Sequence, residues 1–590
     1  MGGMAVMALG TALVAGCGDD DGGTGGDAGS STGGKAGSSS GGKAGAAGSS
    51  STGGKAGGGS GGTDGGTGNP DPVGGQGGND VDPPVGGEGG GSTTGEGGEG
   101  GGTEPVELEL ISKVRQDVIS AAKVHDLRGL RFSTAAPGKL WAAGHKGINA
   151  NPTPVGDPDK QLVIARFKAD GTPDETFSED GFLEVNLVER EEADDPNTVE
   201  TTVVVLNDGN EEALGIVELE GGDIVVSGNK RDADGKGMDA YLARFTSAGV
   251  AVDEFGTDGV AVVTFGWGPA DVYTPPTATS PAAPSDNSWG VELDGSGVDE
   301  KLVVFGAGTA AKVATGTQRT DNDRYITRVL ASTGEIDPAF NAGKPFIYNT
   351  GGTNGDNGRR GIVEADGSIL AAGYTNFAPG GNHIVAIRLK PDGTRDGAFG
   401  PVANNRGVFH SNPVLNDGGV AECYNLVRQS SGRIVTTGYG SATAADIMSS
   451  FGYLSTKAPD LVSFAYSADG KTLDSDWGNL GMFIAQSEDL NVTRFEERGR
   501  DLAVLHDDRL VHAGNFATDP AIYVVNPDGS FDDDTGLFRY TPLTTTPTSS
   551  GGVSTSHFFR VVVSPDGKSI AASTNQNVDG VLVAFLKVGE

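Results

Sequence analysis

The sequence predicts an all-β fold: a seven-bladed β-propeller closed by an N-terminal strand and preceded by a disordered Gly/Ser-rich linker. Three observations carry this. A short apolar unit ending in a small residue recurs seven times, Asp-Gly turns separate the short apolar runs, and the last repeat lacks a fourth run of its own. The unit is clearest at Gly367-Ser-Ile-Leu-Ala-Ala-Gly373, and its other copies end at Gly144, Gly228, Gly306, Gly438, Gly514 and Ser573. Successive copies lie roughly 60 to 85 residues apart, longer than the roughly 40 to 50 of common propeller blades. Irregular insertions account for the excess.

Each copy follows another apolar run across a tight turn, as in Gly361-Ile-Val-Glu-Ala-Asp-Gly367 and Val561-Val-Val-Ser-Pro-Asp-Gly567. Asp-Gly between two such runs is a hairpin signal, because glycine accepts the positive φ of a tight turn. A third run follows (Leu162–Phe167, Ala240–Phe245, Ile384–Leu389), and a fourth (Gly181–Val185, Gly259–Val263, Gly407–His410) completes six of the units. Four short strands per repeat, rich in Val, Ile, Phe and Tyr, form the pattern of a propeller blade. The seventh unit has only three runs. Pro105-Val-Glu-Leu-Glu-Leu-Ile-Ser-Lys-Val114 alternates apolar and polar residues and has no hairpin partner, so it is expected to supply the missing outer strand and protect the open edge.

The segments between third and fourth runs carry Asp-Gly-x-x-Asp-x-x-Phe, as in Asp170-Gly-Thr-Pro-Asp-Glu-Thr-Phe177 and Asp392-Gly-Thr-Arg-Asp-Gly-Ala-Phe399. With Arg328 to Phe340 they resemble the delta-60 repeat of bacterial β-propeller proteins over roughly residues 105–590. Two copies depart from the pattern: Asp253 sits one place nearer Phe255, and Trp477 replaces the aromatic Phe. The resemblance implies a propeller in an extracytoplasmic setting and brings no catalytic residues.

Ahead of the propeller the chain divides into residues 1–17 and 18–104. Met4 to Gly16 is apolar but short of the roughly 20 residues a membrane-spanning helix needs. Its end, Leu13-Val-Ala-Gly-Cys17, resembles the lipobox of bacterial lipoproteins, which implies signal cleavage, acylation of Cys17 and membrane attachment through the lipid alone. The expected location is the cell envelope, at the outer membrane or cell surface of a Gram-negative bacterium. Residues 18–104 are almost entirely Gly, Ser, Thr, Ala, Asp and Pro, too poor in apolar surface to offset the entropy of ordering. A Gly-rich coil of that length spans roughly 50 Å, which makes it a tether.

Formal net charge is −37, about a quarter of it in the linker. An acidic surface repels phosphate backbones, which argues against a nucleic-acid partner. Metal-protease and paired-cysteine motifs are absent, and the seven histidines are scattered over different repeats. Most aspartates fall in turns, where their side chains bond the local backbone. Asp232-Ala-Asp-Gly-Lys-Gly-Met-Asp239 stands out, since Asp232, Asp234 and Asp239 offer the hard oxygens that suit calcium. It lacks the bidentate glutamate of an EF-hand loop, so a solvated surface loop is the competing reading.

Blade topology puts first-to-second and third-to-fourth connections on one face and all other connections on the opposite face. The long insertions (186–212, 266–288, 309–324, 440–459 and 540–556) all belong to that opposite face. Scaffolded loops concentrate recognition, and Trp267, Tyr273, Trp289, Phe451 and Tyr453 are the candidate contacts. The expected function is a non-enzymatic, surface-tethered module that binds protein or glycan. The alternative is an extracytoplasmic lyase, lactonase or glycosidase working at the central axis.

Overall fold

The computed structural model describes residues 108–115, 124–147, 160–187, 190–192, 204–206, 209–231, 237–267, 284–312, 318–351, 354–377, 381–401, 407–411, 420–441, 460–485, 497–531, 536–540, 557–574 and 581–588. The sites proposed at Cys17, Asp232, Asp234, Tyr273, Phe451 and Tyr453 lie outside them, as does the 18–104 segment.

Seven four-stranded antiparallel sheets form the blades. Their first strands are Val124–Phe132, Glu212–Glu218, Asp286–Asp294, Asp356–Val363, Val420–Arg428, Asp501–Val504 and Phe558–Val563. In blades 1 to 6 the strand order follows the chain. Blade 7 is completed by Leu108–Arg115, which pairs antiparallel with Val581–Val588 from Leu108 opposite Val588 to Arg115 opposite Val581. The clasp expected from the alternation before the first repeat is therefore present. A separate hairpin joins Arg190–Glu192 to Val204–Leu206.

Seven buried apolar clusters lie one between each pair of neighbouring blades, the last joining blade 7 to blade 1. Strand alternation explains the arrangement: along Lys301–Thr309, Leu302 and Val304 pack on blade 2 while Val303 and Phe305 pack on blade 4. Both faces of each sheet are covered, which is why the second strands read as continuous apolar runs.

The Asp-Gly-x-x-Asp-x-x-Phe segment locks consecutive blades. Its aromatic is buried at Phe177, Phe255, Phe340, Phe399 and Trp477. The turn glycine of the next blade lies against that ring: a Cβ on Gly249, Gly334, Gly393, Gly470 or Gly529 would stand 2.5 to 3.2 Å from it, and all five have positive φ. Gly256, Asn341, Gly400 and Gly478 then donate backbone hydrogen bonds to Thr333, Asp392, Asp469 and Asp528 of the following blade at 2.7–2.8 Å.

The motif aspartates are structural. Asp170 and Asp392 each accept the amide (2.9 Å) and hydroxyl (2.6 Å) of the Thr two residues on, which holds both carboxyls below the usual range. The second aspartate binds an arginine of the third strand: Arg166–Asp174 at 2.5 Å, Arg328–Asp337 at 2.8 Å and Arg388–Asp396 at 3.0 Å. Where the motif is degenerate, the pairing is rerouted. Beside the displaced Asp253, Arg244 binds Asp223 at 2.7 Å; in blade 5, whose third strand carries Ala465, Arg433 binds Asp474 at 2.7 Å.

Candidate functional site

The small residue that ends each repeat unit shapes the centre of the molecule. A Cβ on Gly144, Gly228, Gly373, Gly438 or Gly514 would overlap the carbonyl oxygen of Asp126, Glu212, Asn357, Glu422 or Arg498, each in or just before the neighbouring first strand. That strand approaches closely because it bulges there. Pairing register shifts across Asp126/Gly129, Ala213/Gly215, Ser288/Gly290, Gly358/Gly361, Cys423/Asn425 and Phe558/Arg560. A bulge re-aims a side chain, and here it aims side chains inward, to a point where all seven blades meet.

Arg128, Leu214, Trp289, Arg359, Tyr424, Arg500 and Phe559, one per blade, line this point together with Arg360. Most of them stack in alternation. Arg359 lies 4.0 Å from the Trp289 ring centroid and 4.9 Å from that of Tyr424, Arg500 lies 5.0 Å from both Tyr424 and Phe559, and Arg128 lies 4.6 Å from Phe559. Desolvated cation–π contacts of this kind contribute up to about 2 kcal/mol each. The ring leaves a cavity of about 30 Å³.

Toward the short-turn face the axis widens into a funnel of about 340 Å³ lined by Arg131, Glu292, Asn425, Arg560 and apolar residues of the first strands. Asp501, fully buried in its wall, accepts from Asn425 Nδ2 (2.7 Å) and the Val561 amide (2.9 Å) and pairs with Arg560 (3.2 Å). Glu292 lies 3.7 Å from Arg131 and 3.8 Å from Arg560.

Toward the insertion face, blades 1 and 2 bury a charged cluster. Asp126 meets Arg128 Nε at 2.8 Å and His145 Nδ1 at 3.2 Å, and Glu212 meets Lys160 Nζ at 2.8 Å and Asn229 Nδ2 at 3.1 Å. Burial pushes both carboxyls up, but the surrounding cations outweigh it and hold both below the usual range. Asp286, at the start of the first strand of blade 3, differs: burial pushes its carboxyl up to about 7.

Trp267 is buried, its indole donating to the Ala310 carbonyl at 3.1 Å. Trp289 lies on the bulged first strand of blade 3 and belongs to the axial ring, not to an insertion. Asp239 sits 3.7 Å from Lys230. Among the described residues no group of three His, Cys, Asp or Glu could hold a metal ion. Cys423 is buried, which pushes its thiol up to about 12 and leaves it unreactive. Sequence reasoning missed the ring because its residues share no chemistry. A signal was present in blades 1 to 3, where each inward residue directly precedes a glycine inside an apolar strand (Arg128-Gly129, Leu214-Gly215 and Trp289-Gly290), and in blade 4, where Arg360 beside Arg359 precedes Gly361.

Fold and axis define a seven-bladed β-propeller closed by its N-terminal strand. A family described as "Domain of unknown function (DUF5122) beta-propeller" matches residues 364–399, within blade 4. No curated protein matches the sequence. Similar solved structures include a PL25 ulvan lyase (8% identity, TM-score 0.38, covering 82% of this chain and 95% of that one) and the Dos1 propeller (8%, 0.35, 82% and 95%). The β-propeller domain of the Trilobed protease from Pyrococcus furiosus is similar at 10% identity and a TM-score of 0.35, covering 80% and 95%.

Proposed function

We propose that the chain is a lipid-anchored binding protein of the cell envelope, a delta-60-type propeller tethered through acylated Cys17 and the 18–104 linker. It recognises a protein or glycan through the face to which the second-to-third and between-blade connections belong. One observation carries this reading: at the ring the axis is filled by side chains that stack on one another, leaving only about 30 Å³, so this level serves as a strut for the loops around it. Of the carboxylates near that face, Asp126 and Glu212 are held ionised by buried cations, whereas a glycosidase acid must keep its proton near neutral pH; Asp286, whose carboxyl burial raises, is closed off from solvent and accepts the Phe265 amide at 3.2 Å.

The test is a screen of the full chain, purified in detergent, against glycans and envelope proteins. Retention of a ligand that is lost on Tyr273→Ala, Phe451→Ala or Tyr453→Ala is the expected result. Turnover of a glycan or lactone that disappears in Asp126→Asn would instead establish the enzyme. Mass spectrometry reads Cys17 directly: an unmodified thiol in the mature protein removes the anchor.

A further inference from the structure

On the short-turn face, arginines tie neighbouring blades together. At four seams a guanidinium donates to a carbonyl of a third-to-fourth turn: Arg166 to Ser247 (3.1 Å), Arg244 to Ala331 (2.8 Å), Arg428 to Ala468 (3.1 Å) and Arg433 to Pro527 (3.1 Å). Arg166 and Arg244 belong to third strands, Arg433 directly precedes a second strand, and Arg428 ends a first strand. At the seam between blades 7 and 1 none of the corresponding positions carries a guanidinium. Phe585 stands two residues before the partner of Ser569, as Arg166 stands two residues before the partner of Lys139. Ser569 precedes Ile570 as Arg433 precedes Ile434, and Phe132 pairs with Leu140 as Arg428 pairs with Ile434. The result is a cavity of about 260 Å³ with the buried rings of Phe132 and Phe585 in its wall and Ala169, Pro565, Asp566 and Ser569 around them. The Ala169 carbonyl, counterpart of those at Ser247, Ala468 and Pro527, accepts no hydrogen bond from the described residues. Asp566 lies in the exposed first-to-second turn of blade 7; its Oδ1 accepts the Ser564 hydroxyl and the Lys568 amide, which leaves Oδ2 for a further donor.

We propose that this cavity receives the guanidinium of an arginine side chain from a partner polypeptide, which completes the seam as the chain's own arginines complete four others. Two phenyl rings, a carbonyl and a carboxylate form the environment that suits a planar, weakly hydrated cation. A net charge of −37 draws cationic partners to the surface. No Lys, Arg or His is among the described residues lining the cavity, so the carboxylate of a free amino acid finds no cation there and is repelled by Asp566. The arginine is therefore one within a peptide chain. The site lies on the face opposite the long connections, and it stands independently of the binding reading above.

The test is saturation-transfer NMR of the full chain in detergent with end-capped pentapeptides, a central Arg, Lys or Phe flanked by glycines, and with free arginine. The Arg peptide should bind roughly tenfold more tightly than the Lys peptide, whose compact ammonium has no planar face to lay on the rings, and more tightly than free arginine. Ser569→Arg gives this seam a guanidinium of its own in the place that Arg433 occupies in blade 5, and should abolish binding. Asp566→Asn, which retains an acceptor for the turn's hydrogen bonds, should weaken binding several-fold and lessen its salt dependence; if Ser569→Arg does not fold, this variant decides alone. Equal binding of the Arg and Lys peptides, tighter binding of the Phe peptide, or free arginine binding as well as the Arg peptide would each overturn the proposal. So would an Arg peptide whose binding survives Ser569→Arg or is unchanged by Asp566→Asn, or the absence of signal from every peptide.

Discussion

Gly470→Ala places a methyl group where Phe399 already stands. Gly470 closes the third-to-fourth turn of blade 5 at φ +66°, and a Cβ there would lie 2.5 Å from two ring carbons of Phe399 and 3.0 Å from Phe409. The ring cannot retreat, because Phe399 is buried within the cluster joining blades 4 and 5, nor can the turn, because Gly400 donates to the Asp469 carbonyl at 2.8 Å. Two costs add: about 1–2 kcal/mol for a Cβ in the left-handed region, and about 1–3 kcal/mol for overpacking. Gly138→Ala separates them. Gly138 has φ +82° with no heavy atom within 4 Å of its Cβ position, so only the first cost applies. Urea unfolding followed by tryptophan fluorescence, with buried Trp141 and Trp477 as reporters, should therefore show Gly470→Ala to be less stable than Gly138→Ala by about 1–3 kcal/mol. Equal losses would refute the claim that the repeat's glycine is fixed by the preceding blade's aromatic.

Deleting residues 105–115 removes the outer strand of blade 7 and bares the edge of Val581–Val588, so the melting temperature should drop sharply and the protein should self-associate on sizing columns; an unchanged monomer profile counts against the clasp. Asp337→Asn takes the carboxylate from buried Arg328 Nε (2.8 Å) and should cost about 2–3 kcal/mol, whereas Asp170→Ala, in an exposed turn, should cost clearly less; similar losses in denaturant titrations would show that the two aspartates do not differ in role. Asp286 sets a pH dependence. Burial, reinforced by Asp239 and opposed by the Phe265 amide, raises its carboxyl to about 7, so the native state keeps a proton that the unfolded chain loses near pH 3.9. Stability from this residue is therefore fully present below about pH 4 and falls as pH rises to about 7, by up to roughly 4 kcal/mol. Asp286→Asn should be the more stable protein at pH 8 and should lack that slope; matching pH profiles for the two proteins would exclude the effect.

The blade architecture was legible because every repeat must solve the same local problems. Asp at the turn satisfies a backbone amide, Gly at the turn supplies positive φ and room for the neighbour's ring, and Phe fills the seam; none has a cheap substitute, so Asp392, Gly393 and Phe399 recur in recognisable form. The clasp was legible for a related reason: a strand with period-two alternation and no local partner must find a distant one. Trp289 shows the limit. As an aromatic directly after a long insertion it reads as a loop contact, yet a bulge one residue wide turns it from the insertion to the axis. Alternation cannot reveal this, since a bulge breaks the period on which the reading depends.

The same geometry explains why the axial residues diverge while the residues that place them do not. The glycine that closes the repeat unit in blades 1 to 6 is required by backbone contact, with a neighbouring carbonyl occupying the space a Cβ would need, so a substitution there strains the blade whatever its chemistry. The inward residue stacks on side chains from other blades, and its neighbours can change with it. Seven equivalent positions therefore hold Arg, Leu, Trp, Arg, Tyr, Arg and Phe, a set that works only as a set. Arg359 needs the faces of Trp289 and Tyr424, and Arg500 those of Tyr424 and Phe559. Tyr424 is thus shared by two cations, and Tyr424→Ala should destabilise more than Leu214→Ala, although Leu214 is the more deeply buried of the two. Area burial alone predicts a similar loss for the two truncations. The cation–π ring predicts an excess of about 1–2 kcal/mol for the tyrosine, and a double-mutant cycle of Tyr424→Ala with Arg500→Met would assign that excess to the stacked pair or remove it.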